Sequence, residues 1–182
     1  MRYKKYVKLS YRMADLPLAM TKKSILTALV AFLCDQLSKW YVYKVLNLEE
    51  LSSVSVIAPI LNFTLAWNRG VNFGILSSDA PAARWFWTIF ALSISVFLLF
   101  KFRKVRDKAT VFAIGFIVGG AVSNAFDRLV HGAVLDFLNF QIFWFHNPYS
   151  FNLADVCVVV GGLLLALRVG RSGGPASGDP HK

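Results

Sequence analysis

The sequence predicts a mainly α, polytopic membrane protein with four transmembrane helices and a small extracytoplasmic β-sheet. Three observations lead there. Of the 182 residues, 56% are apolar and only 16% charged, against about 45–50% and about 25% in soluble domains. The apolar residues gather into long stretches bordered by charge, and most of the 20 Lys and Arg fall in alternate segments between those stretches. Such a chain buries surface too readily to be disordered. Its formal charge of +10 would suggest a nucleic-acid partner in a soluble protein. Here the positions of the charges assign them to membrane orientation, and no nucleic acid is expected.

Helix one covers about residues 24–46. It opens on the apolar run SILTALVAFLC and then carries Asp35, Lys39 and Lys44, so hydropathy supports it least. Asp35 and Lys39, spaced i, i+4, share one helical face. They read equally as a self-neutralising structural pair or as a contact to substrate and lipid headgroup. Residues 1–23 form a basic cytoplasmic segment with seven Lys and Arg. No small-residue cleavage site follows the apolar run, and bulky Leu33 precedes Cys34, so the segment reads as a retained anchor rather than a cleaved signal peptide. Met20-Thr-Lys-Lys looks like a natural start, which makes residues 1–19 an extension.

Residues 54–76 contain alternation of period two, Phe63, Leu65 and Trp67 against Asn62, Thr64 and Ala66, broken by Pro59 and Gly70. This is a strand signature. Helix two, about 84–102, rests on WFWTIFALSISVFLLF; helix three, about 109–130, rests on ATVFAIGFIVGGAVSNAF. Both approach the roughly 20 residues a bilayer-spanning helix needs. In helix three Gly115, Gly119 and Ser123 make a ridge of small residues that lets another helix come close. The following stretch AVLDFLNFQIFWF is rich in strand formers and completes a sheet lying on the outer membrane face. Helix four, about 153–169, uses VCVVVGGLLLAL and is closed by Arg168. The Gly, Pro and Ser-rich residues 170–182 read as a disordered cytoplasmic tail.

Four spans put the N-terminal segment, the connection KFRKVRDK and the tail on one side. Together they hold fifteen basic residues and three acids, a net of +12, and the rest of the chain nets −2. Basic flanks face the cytoplasm, so both termini are expected there.

Ionisable residues in or beside membrane helices invite functional readings. Asn124, Asp127 and Arg128 form an i, i+3, i+4 set at the outer end of helix three. Asp136 lies just beyond that helix and Asp155 opens helix four; neither has a Lys or Arg within four positions. Two carboxylates held close share one proton, so one can activate water while the other donates to a scissile carbonyl. The plainer alternative makes Asp155 a helix cap and Asp136 a solvated turn residue. A non-enzyme alternative is a small four-helix transporter or proton relay using Asp35, Asp127 and Asp155 as an acid chain. His131, His146 and His181 lack metal-ligand spacing, and no cofactor motif occurs, so no metal or cofactor is expected. Cys34 and Cys157 lie in apolar helices and read as packing residues.

Five motifs in order carry a resemblance: DQLSK at 35–39, NRGVNFG at 68–74, GGAVSNAFDR at 119–128, VLDF at 134–137 and FNLAD at 151–155. From about Lys22 to Leu167 the chain resembles the lipoprotein signal peptidase (signal peptidase II) family of bacterial inner-membrane aspartic proteases. The resemblance implies that residues 24–169 form a membrane protease domain with Asp136 and Asp155 as its catalytic pair. It implies that Asn124, Arg128 and Asn152 line the site, that Asn68 and Gly70 lie on a covering loop, and that Asp35 and Lys39 support it. Asp127 is expected as a structural partner. The implied substrates are prolipoproteins whose Cys carries a diacylglyceryl group, cut on the amino side of that Cys near the outer membrane face. The implied partners are these substrates and membrane lipid, with the enzyme a monomer. Ser123 stands where Gly is usual and Val71-Asn72 where two alanines are usual, changes that bear on substrate fit.

Overall fold

A computed structural model of the chain describes residues 22–70, 81–142, 145–146 and 148–172. The expectations for residues 1–19, for Val71 and Asn72, and for the tail beyond Ser172 lie outside these. Helix α1 runs Lys22–Val45 and its last turn, Tyr41–Val45, widens to π geometry. A short helix α2, Leu48–Leu51, leads into strands β1, Ser53–Ile57, and β2, Leu61–Asn68. Then follow α3, Pro81–Lys101, α4, Lys108–His131, strands β3, Val134–Ile142, and β4, Phe145–His146, and α5, Leu153–Ser172.

The helix ends lie within three residues of the sequence expectation, and in α4 caps rather than charged borders set them. The Asp107 carboxylate accepts the Thr110 amide at 2.9 Å and starts α4 at Lys108; Gly132, at φ 76°, closes it. Helices α1, α3 and α4 are long and apolar enough to cross a membrane. Helix α5, with 20 residues, carries Asp155 in its first turn.

Helix α4 is the centre of the bundle. A Cβ on Gly115 would come within 2.5 Å of Thr27 Cβ, and one on Gly119 within 2.5 Å of the Ala28 carbonyl oxygen, so α1 lies directly on this small-residue ridge. On another side Gly120 meets Ala154 and Val158, while Gly161 of α5 meets the Ala113 carbonyl. Removing side chains from the contact lets the backbones approach closely where no hydrophobic effect drives helices together.

The sheet is antiparallel, in the order β1-β2-β3-β4. In the β2–β3 register Ala66 faces Asp136 and Asn68 faces Val134. Val42, Leu48, Leu135 and Phe137 form a buried cluster beneath it, with Phe63 edge-on to Phe137 at 5.4 Å. The sheet thus sits on the C-terminal end of α1 and beside the start of α5. At the opposite end Ser24 Oγ donates to the Val111 carbonyl, and Arg168 lies 3.8 Å from Asp107. The basic α3–α4 connection and the basic ends of α1 and α5 therefore share one end of the bundle.

Candidate active site

Asp136 sits on β3 between Leu135 and Phe137, which turn into the apolar cluster. Alternation of period two sends Asp136 to the other face of the strand. There its Oδ2 accepts from Asn68 Nδ2 at 3.0 Å and its Oδ1 from Asn152 Nδ2 at 2.6 Å. Asp136 is only 2% exposed, so it is not a solvated turn residue.

Asp155 occupies the third position of α5, after Asn152 at the cap. The Asp155 amide donates to Asn152 Oδ1 at 2.9 Å, and the Asn152 amide returns to Asp155 Oδ2 at 3.2 Å. This is a capping box built from Asn and Asp. The plainer reading of Asp155 as part of a cap is therefore correct but incomplete, because its Oδ1 also accepts from Asn124 Nδ2 at 2.8 Å. Asn152 Nδ2 donates to Asn124 Oδ1 at 3.1 Å, so two asparagines link the carboxylates of Asp136 and Asp155. Burial, then the neighbouring charge of Asp155, pushes the Asp136 carboxyl up from 3.8 to about 6, against the hydrogen bonds from Asn68 and Asn152.

Arg128 donates to the Asn124 carbonyl at 3.3 Å, and the carboxylates around its guanidinium are Asp155, Asp136 and Asp127. Among the described residues its buried Nε has no hydrogen-bond partner, leaving a donor at the edge of the site. Gly70 is required twice: its φ of 127° strains any other residue, and a Cβ there would lie 2.9 Å from Trp87 Nε1. The Gly70 amide donates to Asn68 Oδ1 at 3.0 Å, which turns the Asn68 amide nitrogen toward Asp136.

Beneath this group Lys39 reaches Asp35 at 2.6 Å, Asp127 at 2.7 Å and Asn124 Oδ1 at 3.1 Å. Asp35 Oδ1 accepts the Ala154 amide at 2.8 Å, and Asp127 Oδ2 accepts the Leu135 amide at 3.3 Å. Each amide belongs to the residue just before one of the two site aspartates. The buried Asp35–Lys39–Asp127 set thus ties α1 and α4 to the backbones that carry Asp155 and Asp136. Its charges are committed to one another, which disfavours an acid chain for transport.

Two participants escaped sequence reasoning. Gln36 donates to Ser123 Oγ at 2.9 Å and to Asp127 Oδ1 at 2.7 Å; its signal was its place beside Asp35 in the DQLSK motif of an otherwise apolar helix. Trp87, under Gly70, carried no sequence signal, being one aromatic among many in its helix. Ser123 donates to Asp35 Oδ2 at 2.7 Å, so the hydroxyl that replaces the usual Gly joins the buried set. Among the described residues no three His, Cys, Asp or Glu side chains cluster as metal ligands would.

Comparison with known proteins matches residues 27–170 to the family described as Signal peptidase (SPase) II. The chain is 38% identical over 146 residues to the lipoprotein signal peptidase of Alteromonas mediterranea, covering 79% of this chain and 78% of that protein. It is 41% identical over 140 residues to that of Yersinia pseudotuberculosis, covering 76% and 80%. Among solved structures it superposes with a TM-score of 0.71 and 28% identity on a bacterial membrane enzyme determined by the in meso method at 2.3 Å, over 87% of this chain and 94% of that one.

Proposed function

The chain belongs to the signal peptidase II family, and from that premise we propose how its residues perform the family's reaction. It is a protease that removes the signal peptide from lipoprotein precursors. Asp136 and Asp155 are the catalytic pair of an aspartic endopeptidase. One carboxylate takes a proton from water, the water oxygen attacks the scissile carbonyl, and the other carboxyl donates its proton to the carbonyl oxygen; the tetrahedral intermediate then collapses, the C–N bond breaks as the first carboxyl passes its proton to the leaving nitrogen, and the second carboxylate takes the hydroxyl proton back. The bond cut lies on the amino side of a Cys that bears a diacylglyceryl thioether. The observation that carries this reading is the paired support of the two acids, Asn68 and Asn152 on Asp136 and Asn124 on Asp155. Arg128, whose Nε has no partner among the described residues, holds the substrate backbone.

Helices α1, α3, α4 and α5 cross the bacterial inner membrane with both termini in the cytoplasm, which leaves the sheet and the aspartates at the outer face. A lipid-anchored precursor presents its cleavage site at that depth. All of the proposed machinery comes from one chain, and the enzyme acts as a monomer.

Asp136→Asn and Asp155→Asn each lower processing of a lipidated precursor by about 10²–10⁴-fold, while the purified protein keeps its thermal transition in detergent. Substantial turnover by either variant overturns the assignment. Wild-type protein cleaves the lipidated precursor and spares the same precursor without lipid; equal cleavage of both removes the diacylglyceryl requirement.

A further inference from the structure

A cavity of about 400 Å³ opens on the side of the buried Asp35–Lys39–Asp127 set that faces the C-terminal end of α1. Gln36, Lys39 and Asp127 form its floor; Trp40, Tyr43 and Trp67 form its walls; Lys44 and His131 stand at the rim. The walls are continuous, with Tyr43 and Trp67 edge to face at 6.0 Å and Trp67 against the His131 ring at 5.6 Å. None of the three aromatic residues has a part in the proposed cleavage.

Charge favours a cation in this space. At the floor two buried carboxylates, Asp35 and Asp127, meet one cation, Lys39, so a formal charge of −1 remains there. Asp127 Oδ1 accepts only from Gln36 among the described residues, so a lone pair at the floor is available. Glu49, beside the Tyr43 hydroxyl, adds negative charge near the wall. The walls present indole and phenol faces, which attract ammonium groups, and Lys44 already lies over the Tyr43 ring at 4.7 Å. The surrounding surface is apolar, with Leu37, Trp40, Leu129 and Val130 exposed, as at a bilayer boundary.

We propose that this cavity is a binding site for an aminophospholipid headgroup, with its ammonium among Trp40, Tyr43 and Trp67 above Asp127 and its phosphate at Lys44 and His131. The volume suits a phosphoethanolamine group, since ligand pockets begin at about 300 Å³. The π turn at Tyr41–Val45 contributes by setting where Tyr43 and Lys44 project from the end of α1. The site is independent of the cleavage chemistry and requires only that this end of α1 lie at a membrane surface.

Native mass spectrometry of the full chain released from nanodiscs of equal phosphatidylethanolamine and phosphatidylglycerol tests it. Wild-type protein retains one phosphatidylethanolamine in preference to phosphatidylglycerol by about tenfold, between the weight of an exposed and of a desolvated cation–π contact. Trp40→Ala and Lys44→Glu each erase most of that preference; both side chains are exposed, so neither variant threatens the fold. Equal retention of the two lipids, preference for phosphatidylglycerol, or unchanged preference in both variants overturns the proposal. Soluble glycerophosphoethanolamine distinguishes the source of the ammonium: displacement of the lipid at equal concentration would assign the seat to a free amine and refute the lipid site.

Discussion

Asp136 titrates where it does because of what surrounds it. Its carboxyl is neutral below about 6 and charged above. Between about 4 and 6 the folded protein therefore holds a proton that the unfolded chain has released, so this residue's contribution to stability is present at low pH and is lost as pH rises through about 6. Asp155→Asn removes the second cause of the shift but not the first, burial. The Asp136 titration then falls below about 6 while staying above 3.8, which infrared titration of the protonated-carboxyl band measures. A wild-type band titrating at the ordinary carboxyl value would show that the site is wetter than its packing implies. Lys39 poses a different problem at the same scale. It is one cation between two buried carboxylates, and replacing it by a neutral side chain would leave both without compensation, the costliest kind of buried change.

At the scale of elements, the α1–α4 contact depends on absent side chains. Gly119→Ala places a methyl group 2.5 Å from the Ala28 carbonyl oxygen, which is backbone and cannot turn away. It is expected to destabilise the protein by about 1–3 kcal/mol, the usual range for overpacking. Gly162, on α5, has nothing within 4 Å of its would-be Cβ. Gly162→Ala is expected to be neutral or stabilising by up to about 1 kcal/mol through helix propensity. Denaturation in detergent compares the two, and equal effects would show that the ridge does not hold α1 against α4. The same contact aligns the register of the site, because Ser123, one turn beyond Gly119, meets Asp35 on the facing helix.

At the scale of the molecule, charge placement decides orientation. The basic connection between α3 and α4 and the basic ends of α1 and α5 lie together, and the sheet lies at the other end. With the sheet outside, a membrane-impermeant thiol reagent applied to intact cells labels Ser52→Cys and not Arg106→Cys, in a background lacking Cys34 and Cys157. The reverse pattern overturns the proposed topology.

Much of this architecture was legible from composition and period. Uncharged runs marked α3 and α4, alternation around Phe63 to Trp67 marked β2, and four-residue spacing marked Gly115, Gly119 and Ser123 as a packing ridge. These signals are local, set by side-chain polarity against 3.6- and 2-residue repeats. The acids Asp136 and Asp155 could be singled out because charges are scarce in such a chain, yet spacing alone left both a dyad and a cap open, and only the family resemblance favoured the dyad. Folding shows that Asp155 caps α5 and also shares the asparagine network with Asp136. The Gln36 amide, the Trp87 floor under Gly70, and the amides of Leu135 and Ala154 held by Asp127 and Asp35 all join residues from different elements. Such contacts bridge 8 to 119 positions in the chain. No local pattern encodes them, because each depends on where helix packing and strand register bring the backbone. Polarity along the chain was enough to specify a membrane protein with basic segments on one side and a few acids on the other; the pairing of those acids, and the cavity beside them, came from tertiary packing.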